Sequence, residues 1–268
     1  MTRLTLGPSD QASLPVFRVL LLVQVLATIV FGVVPLVFPE TFAILTGYSG
    51  NDPIVYRLAG AATAGYLIAA LVSLVGRKRW ADLRIPIAAT LTFNAAAAVS
   101  SILEIVGGDR HVVVVVVLLA AAAFAALATY WLRRDDGAPV LAGEGLDQVS
   151  RVIIGLATLS AGVFGLLPLI LPVTFAALFG LSGTDVWIFR MAGSACLGYA
   201  VAGLLELRAP AYAPIAVQNL AAIAFNAFAA VAAWLALASG SGGLLAPIVA
   251  VAATFFALAL GWLAIRDR

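Results

Sequence analysis

FGVVPLVFPETFAILTGYSGNDPIVYRLAGAATAGY occupies residues 31–66, and FGLLPLILPVTFAALFGLSGTDVWIFRMAGSACLGY occupies residues 164–199. The two stretches lie 133 positions apart and are identical at 19 of 36 positions. Proline, aspartate, arginine and glycine carry much of this identity, so a shared bias toward Ala, Leu and Val does not explain it. The pattern predicts a tandem duplication, with a first unit at 1–132, a linker at 133–149 and a second unit at 150–268.

The composition is that of a membrane protein. Of the 268 residues, 63% are hydrophobic and 10% are charged, whereas roughly a quarter of the residues of a soluble domain are charged. Backbone groups in lipid must bond within their own segment, so we predict an all-α integral membrane protein with eight transmembrane helices. The apolar stretches have the length of about 20 residues that crosses a bilayer core: 16–38, 53–76, 85–106, 112–132, 150–171, 186–206, 214–238 and 244–265.

Each predicted unit contains four of these spans. Because four is an even number, both units begin on the same side of the membrane. We therefore expect two tandem four-helix repeats in parallel orientation, related by a pseudo-two-fold axis along the membrane normal.

The basic residues predict the orientation of the chain. Outside the spans, Arg110 falls on one side of the membrane and all the other basic residues fall on the opposite side. The positive-inside rule then places both termini in the cytoplasm of a multi-pass protein of the inner (plasma) membrane. The excess of basic residues is explained by topology and gives no reason to expect nucleic acid as a partner. The residues on the predicted cytoplasmic side are Arg3, Arg18, Arg77, Lys78, Arg79, Arg84, Arg133, Arg134, Arg151, Arg208, Arg266 and Arg268.

Several kinds of chemistry are excluded by scarce residue types. The single cysteine, Cys196, cannot form an internal disulfide, and the single histidine, His111, cannot supply bis-histidine haem ligation. The single lysine, Lys78, lies in a predicted loop, which excludes a retinal Schiff base within a span. We therefore predict no metal site and no cofactor.

Each unit carries a short apolar segment framed by prolines, PETFAIL in the first and PVTFAAL in the second. Pro39 and Pro172 suit the first turn of a short helix, and Gly47 and Gly180 are expected to end it. The segment is too short to span, and the sequence leaves open whether it is interfacial or re-entrant. Asp52 and Asp185 follow and suit the N-cap of the next span.

Arg57 and Arg190 lie five residues after those aspartates, about one turn into a span. Each arginine has two interpretations. It either binds the carbonyls of its own short helix or its own aspartate, or it forms part of a site for an anion or polar head group. Tyr66 and Tyr199 fall near the middle of a span and need hydrogen-bond partners, either within the packing or on a substrate.

Polar residues that differ between the units are candidates for a specific function. Glu40 aligns with Val173, and Glu104 aligns near Ala236. Four polar residues of the third span share an arc of roughly 80° at 100° per residue, namely Thr90, Asn94, Ser101 and Glu104. We therefore predict Glu104 and Glu40 as catalytic acids. The predicted substrate-binding residues are Arg57, Arg190, Asp52, Asp185, Asn94, Asn226, Tyr66 and Tyr199.

Three functions are compatible with this inventory. The first is a membrane-embedded enzyme that acts on a lipophilic small molecule or lipid by acid/base chemistry of the isomerisation, cyclisation or hydration type, in a cavity between the repeats. The second is a small transporter or lipid-binding carrier, indicated by proline- and glycine-interrupted segments at matching positions of the two units. The third is a non-catalytic membrane subunit. The bilayer is a partner in all three, and the sequence sets no oligomeric state.

The predicted topology places Gly50 and Ser241 on the side opposite the termini. In a background that carries Cys196→Ala, single cysteines at these positions should react with a membrane-impermeant maleimide added outside intact cells. A cysteine in the linker, at Gly143, should react after the cells are opened. The topology is refuted if either loop cysteine is labelled only in opened cells.

Overall fold

The computed structural model describes residues 8–75, 82–133 and 145–266, and it describes side chains from residue 18 onward. Within these ranges the regular secondary structure is helical and contains no strand. In chain order the elements are α1 (Pro8–Thr28), a π-helical turn (Ile29–Val33), α2 (Val34–Val37), α3 (Pro39–Thr46), α4 (Pro53–Val75), α5 (Arg84–Val106), α6 (Val112–Arg133), α7 (Gln148–Ile170), α8 (Pro172–Phe179), α9 (Val186–Glu206), a 3₁₀ turn (Ala213–Ile215), α10 (Ala216–Ala238) and α11 (Leu245–Arg266).

Within the described ranges, eight helical segments are long and apolar enough to cross a membrane. Their ends agree with the predicted spans to within two residues, so the prediction of an all-α protein with eight such helices is confirmed. The valine run at the start of α6 is helical, as expected for a lipid environment. The segments are Arg18–Val37, Pro53–Val75, Arg84–Val106, Val112–Arg133, Gln148–Ile170, Val186–Glu206, Ala213–Ala238 and Leu245–Arg266.

The two short helices have the predicted boundaries. Pro39 and Pro172 each occupy the first turn, where a missing backbone N–H costs no intrahelical bond. Gly47 and Gly180 follow the last residue in the left-handed conformation, with φ of 84° and 69°. The expectation that these glycines end the helices is therefore confirmed, because a side chain at such a φ is strained.

Helices that precede the linker pack against helices that follow it. The second long helix of the first half, α4, packs mainly against α10, and α5 packs against α9 as extensively as against its chain neighbour α6, whereas α4 and α5 scarcely touch. Within each half, α5 packs on α6, α10 packs on α11, and α7 packs on α9. The core therefore contains long-range contacts between residues before and after the linker.

Two tyrosines occupy the centre of this packing. The Tyr66 hydroxyl donates a hydrogen bond of 3.1 Å to the Ala195 carbonyl, and the Tyr199 hydroxyl donates one of 2.9 Å to the Ala62 carbonyl. The two rings lie 4.7 Å apart between centroids. Both phenols are buried and satisfied by backbone groups of another helix, which suits a polar group in an apolar core.

The tyrosine contacts require a glycine at position 65. A Cβ on Gly65 would overlap the Tyr199 hydroxyl and lie 2.7 Å from the Ala221 carbonyl oxygen. Gly65→Ala should therefore lower the unfolding free energy by about 1–3 kcal/mol through overpacking. The measurement is thermal unfolding in detergent.

Gly155→Ala is the matched control, since a Cβ there meets no atom within 4 Å and the residue also lies within a helix. It should leave stability unchanged or raise it by up to about 1 kcal/mol through helix propensity. Equal melting temperatures for the two variants would show that the α4–α9–α10 contact is looser than described.

Candidate functional site

The two loops that precede α4 and α9 bind each other through aspartates. The Asp185 carboxylate accepts hydrogen bonds from the backbone and hydroxyl of Ser49 and from the Gly50 amide, at 2.9–3.0 Å. The Asp52 carboxylate accepts the corresponding bonds from residues 182 and 183, at 2.7–3.0 Å. Both aspartates are buried. We refer to residues 49–52 and 182–185 as the loop clasp.

The loop clasp changes the interpretation of both aspartates. Asp185 stands at the N-cap position of α9 but makes no capping bond, so the expectation that it caps this helix is wrong. Its oxygens are occupied instead by the opposite loop, and Tyr56 donates a further bond of 2.7 Å. Carboxylates that accept several hydrogen bonds hold a loop in place, and these two have little capacity left for a substrate.

Glu104 forms an ion pair with Arg190. The Arg190 Nη1 atom lies 2.8 Å from Glu104 Oε2, and the side chains are 21% and 13% exposed. Next to this pair, the Trp187 indole N–H donates to the Ser101 hydroxyl at 3.3 Å. The predicted polar arc of the third span therefore faces α9 at two of its positions. The sequence did not assign a partner to Glu104, and the structure pairs it with Arg190.

Aromatic and acidic residues of two loops adjoin the ion pair. The Tyr48 ring stacks on Trp187 with centroids 5.5 Å apart, and its hydroxyl donates to Asp109 at 2.8 Å. The His111 backbone N–H donates to Asp109 at 2.7 Å, and its ring lies against Tyr48. We name this group the Glu104 cluster; its members are Tyr48, Glu104, Asp109, His111, Trp187 and Arg190.

The loop residues of the Glu104 cluster have shifted acidities. Partial burial acts to raise the pKa of Asp109, but hydrogen bonds from His111 and Tyr48 outweigh it and hold the pKa below its ordinary value. Burial raises the pKa of Tyr48 well above its ordinary value, and the bond to Asp109 adds to the effect. Asp109 is thus an ionised acceptor and Tyr48 a neutral donor near neutral pH, which suits a fixed hydrogen bond rather than a proton transfer.

The remaining predicted residues are dispersed. Glu40 is exposed in the first turn of α3. Arg57 is partly buried and makes no hydrogen bond or ion pair within the described part of the chain. The Asn94 and Asn226 amides each donate 2.8 Å bonds to a carbonyl one turn earlier in their own helix, at Thr90 and Ala222.

Two apolar cavities lie among the helices. One, of about 100 Å³, is lined by α1 to α6 and by α9, and we call it the N-terminal cavity. The other, of about 120 Å³, is lined by α7 to α11 and by α4, and we call it the C-terminal cavity. Tyr66 and Asn94 line the first, and Tyr199 and Asn226 line the second. Neither cavity is lined by Glu40 or Glu104.

The C-terminal cavity also holds polar residues that the sequence interpretation did not select. Glu206 is 6% exposed and Gln218 is 1% exposed, and both line the cavity. Glu206 Oε1 and both amide atoms of Gln218 have no hydrogen-bond partner. Glu206 was missed because it ends a span, where a carboxylate normally reaches water. The sequence signal that could have found Gln218 was the pair of adjacent polar residues at 218 and 219 within an apolar span.

No cluster of three His, Cys, Asp or Glu side chains able to hold a metal ion is found in the described ranges. Comparisons of the chain with protein-family models, with characterised proteins and with solved structures found no match. The function must therefore be argued from the geometry of the chain itself.

The ion pair of the Glu104 cluster generates a stability prediction. Glu104→Ala strands the Arg190 guanidinium in a partly buried site, and losing such a charged hydrogen bond costs about 1.5–3 kcal/mol. Thermal unfolding in detergent should show the loss, and a double-mutant cycle with Arg190→Ala should give a favourable coupling energy.

Arg57→Ala is the matched control for this cycle, because Arg57 aligns with Arg190 in the sequence and has no partner in the described chain. It should change stability by no more than about 0.5 kcal/mol. A coupling energy near zero between positions 104 and 190 would contradict the assigned ion pair.

Proposed function

We propose that this protein binds a lipophilic small molecule or lipid within the membrane and acts as a small carrier or transporter. The observation that carries the proposal is the pair of apolar cavities, each lined by aromatic rings and a few polar groups. This is the usual character of small-molecule sites. Polar side chains at matching positions, Tyr66 and Asn94 in one cavity and Tyr199 and Asn226 in the other, would orient the ligand.

The carrier proposal includes two tandem four-helix repeats, 1–132 and 150–268, in parallel orientation. It is supported by contacts that recur with the roles of the halves exchanged: Ser49 binds Asp185 as Ser182 binds Asp52. Likewise, Tyr66 binds Ala195 as Tyr199 binds Ala62. Such exchanged contacts are the property of a two-fold interface. Parallel repeats around a binding site are typical of some secondary transporters.

The proposed location is the inner (plasma) membrane, with both termini in the cytoplasm. The support is the distribution of basic residues, of which Arg110 lies apart from the others in the loops. In this orientation the loop clasp and the Glu104 cluster face the outside, and Glu206 lies at the cytoplasmic end of the C-terminal cavity.

A second candidate is an enzyme that acts on a lipophilic substrate by acid/base chemistry. The predicted acids Glu104 and Glu40 have little support from the geometry, because one is ion-paired to Arg190 and the other is exposed. The observation in favour of an enzyme is the unpartnered carboxyl group of Glu206 in the C-terminal cavity, since buried carboxyl groups in apolar sites are typical general acids.

Filling the cavities tests whether they bind a ligand. Ala192 lines the C-terminal cavity, and its repeat counterpart Ala59 lines the N-terminal cavity. Leucine at each position should occupy ligand space, so the double variant A59L/A192L should retain fewer lipophilic molecules. Mass spectrometry of organic extracts from the purified proteins measures this, and each single variant reports on one cavity.

Thermal unfolding of the same samples checks that the variants are folded. Gly155→Ala, whose added Cβ meets no atom within 4 Å, serves as the control that should retain the wild-type set of molecules. If the double variant retains the same molecules in the same amounts, neither cavity is the binding site.

A further inference from the structure

We infer that the C-terminal cavity selects a lipophilic amine and binds its ammonium group at Glu206. The inference rests on the proposed ligand-binding role of this cavity. It is carried by two side chains, Glu206 and Gln218, that are more than nine-tenths buried, line the cavity and lack hydrogen-bond partners. Neither residue type is repeated in the first half: Glu206 aligns with Ser73, and Gln218 aligns with Pro86.

Glu206 is a buried carboxyl group without a cation. No ion pair or hydrogen bond of its side chain occurs within the described chain. Burying a carboxylate is costly unless it is paired, and carboxylates within membrane spans generally serve a proton, an ion or a ligand counter-charge. A ligand ammonium supplies the missing positive charge.

In the first half, the position that corresponds to Glu206 is occupied by a serine, Ser73. The Ser73 hydroxyl is buried and donates a 2.6 Å bond to the Ala69 carbonyl of its own helix, so it is satisfied. The Glu206 carboxylate has no proton to donate to such a carbonyl, and it remains unpaired. Ser73 is therefore a packing residue, whereas the Glu206 carboxyl group is available to a ligand.

Further acceptors line the same cavity as Glu206. Thr158 lines the same cavity and packs against Gly203, which lies one turn before Glu206 on α9. The Thr158 hydroxyl donates to the Ile154 carbonyl at 2.7 Å, so its oxygen remains free to accept. The Gln218 carboxamide oxygen also has no donor. An ammonium group has three N–H donors, and these three residues supply carboxylate, amide and hydroxyl oxygens.

The remainder of the cavity suits an elongated apolar tail. Its lining on α9 runs from Phe189 to Glu206, about 25 Å along the helix at 1.5 Å per residue. Aromatic and aliphatic residues of the other helices complete the wall: Phe164, Phe175, Phe225, Phe256 and Leu260. The cavity therefore combines one acidic end with a long apolar wall.

The test compares dodecylamine with 1-dodecanol, which share a tail and differ in the head group. Binding to the purified protein is measured by native mass spectrometry, and the shift in unfolding temperature is measured in parallel. Wild type should bind the amine at least about tenfold more tightly than the alcohol, since a hydrogen bond to a charged group contributes 1.5–3 kcal/mol. Glu206→Gln keeps the shape but removes the charge, so it should abolish this preference.

Ser73→Ala, at the repeat counterpart of Glu206, is the control and should retain the preference for the amine. Gln218→Leu is a second variant, in case Glu206→Gln does not fold, and should weaken amine binding several-fold. If both compounds bind wild type equally, or if Glu206→Gln leaves amine binding unchanged, the ammonium site is refuted while ligand binding stands. If neither compound binds wild type, both proposals fail.

Discussion

The packing of α4 on α10 and of α5 on α9 is the constraint on which the rest of the structure depends. In lipid, helices gain little from apolar contact alone, so close backbone approach and satisfied polar groups must hold them together. Gly65 permits the Tyr199 hydroxyl to reach the Ala62 carbonyl, and the Tyr66 hydroxyl reaches Ala195. These bonds tie residues before the linker to residues after it.

The interleaved packing determines where polar side chains meet. Because α5 packs on α9, Glu104 meets Arg190 and Ser101 meets Trp187. The helix packed on α4 is α10, which has alanine near the position matching Glu104, and Arg57 makes no ion pair in the described chain. Arg190 thus has a charged partner, whereas Arg57, with which it aligns, has none in the described chain.

A similar divergence separates the two cavities. Both contain a tyrosine and an asparagine at corresponding positions, but the C-terminal cavity alone is lined by a carboxyl group, that of Glu206. Gln218, which lines the same cavity, aligns with Pro86. The tyrosines and asparagines that the two halves share are hydrogen-bonded to backbone carbonyls, whereas the divergent residues Glu206 and Gln218 have unpartnered atoms. The unsatisfied atoms of the C-terminal cavity therefore favour it as the more specialised of the two.

The sequence by itself determined the eight helices, the proline-framed short helices and the glycines that end them. These features are local, since lipid leaves the backbone no alternative to a helix and since proline and left-handed glycine act within one turn. Only the tertiary structure decided that Arg190 pairs with Glu104, 86 residues away, that the aspartates bind opposite loops, and that Glu206 is buried. Those outcomes depend on which helices cross and at what depth, and spacing along one helix does not carry that information.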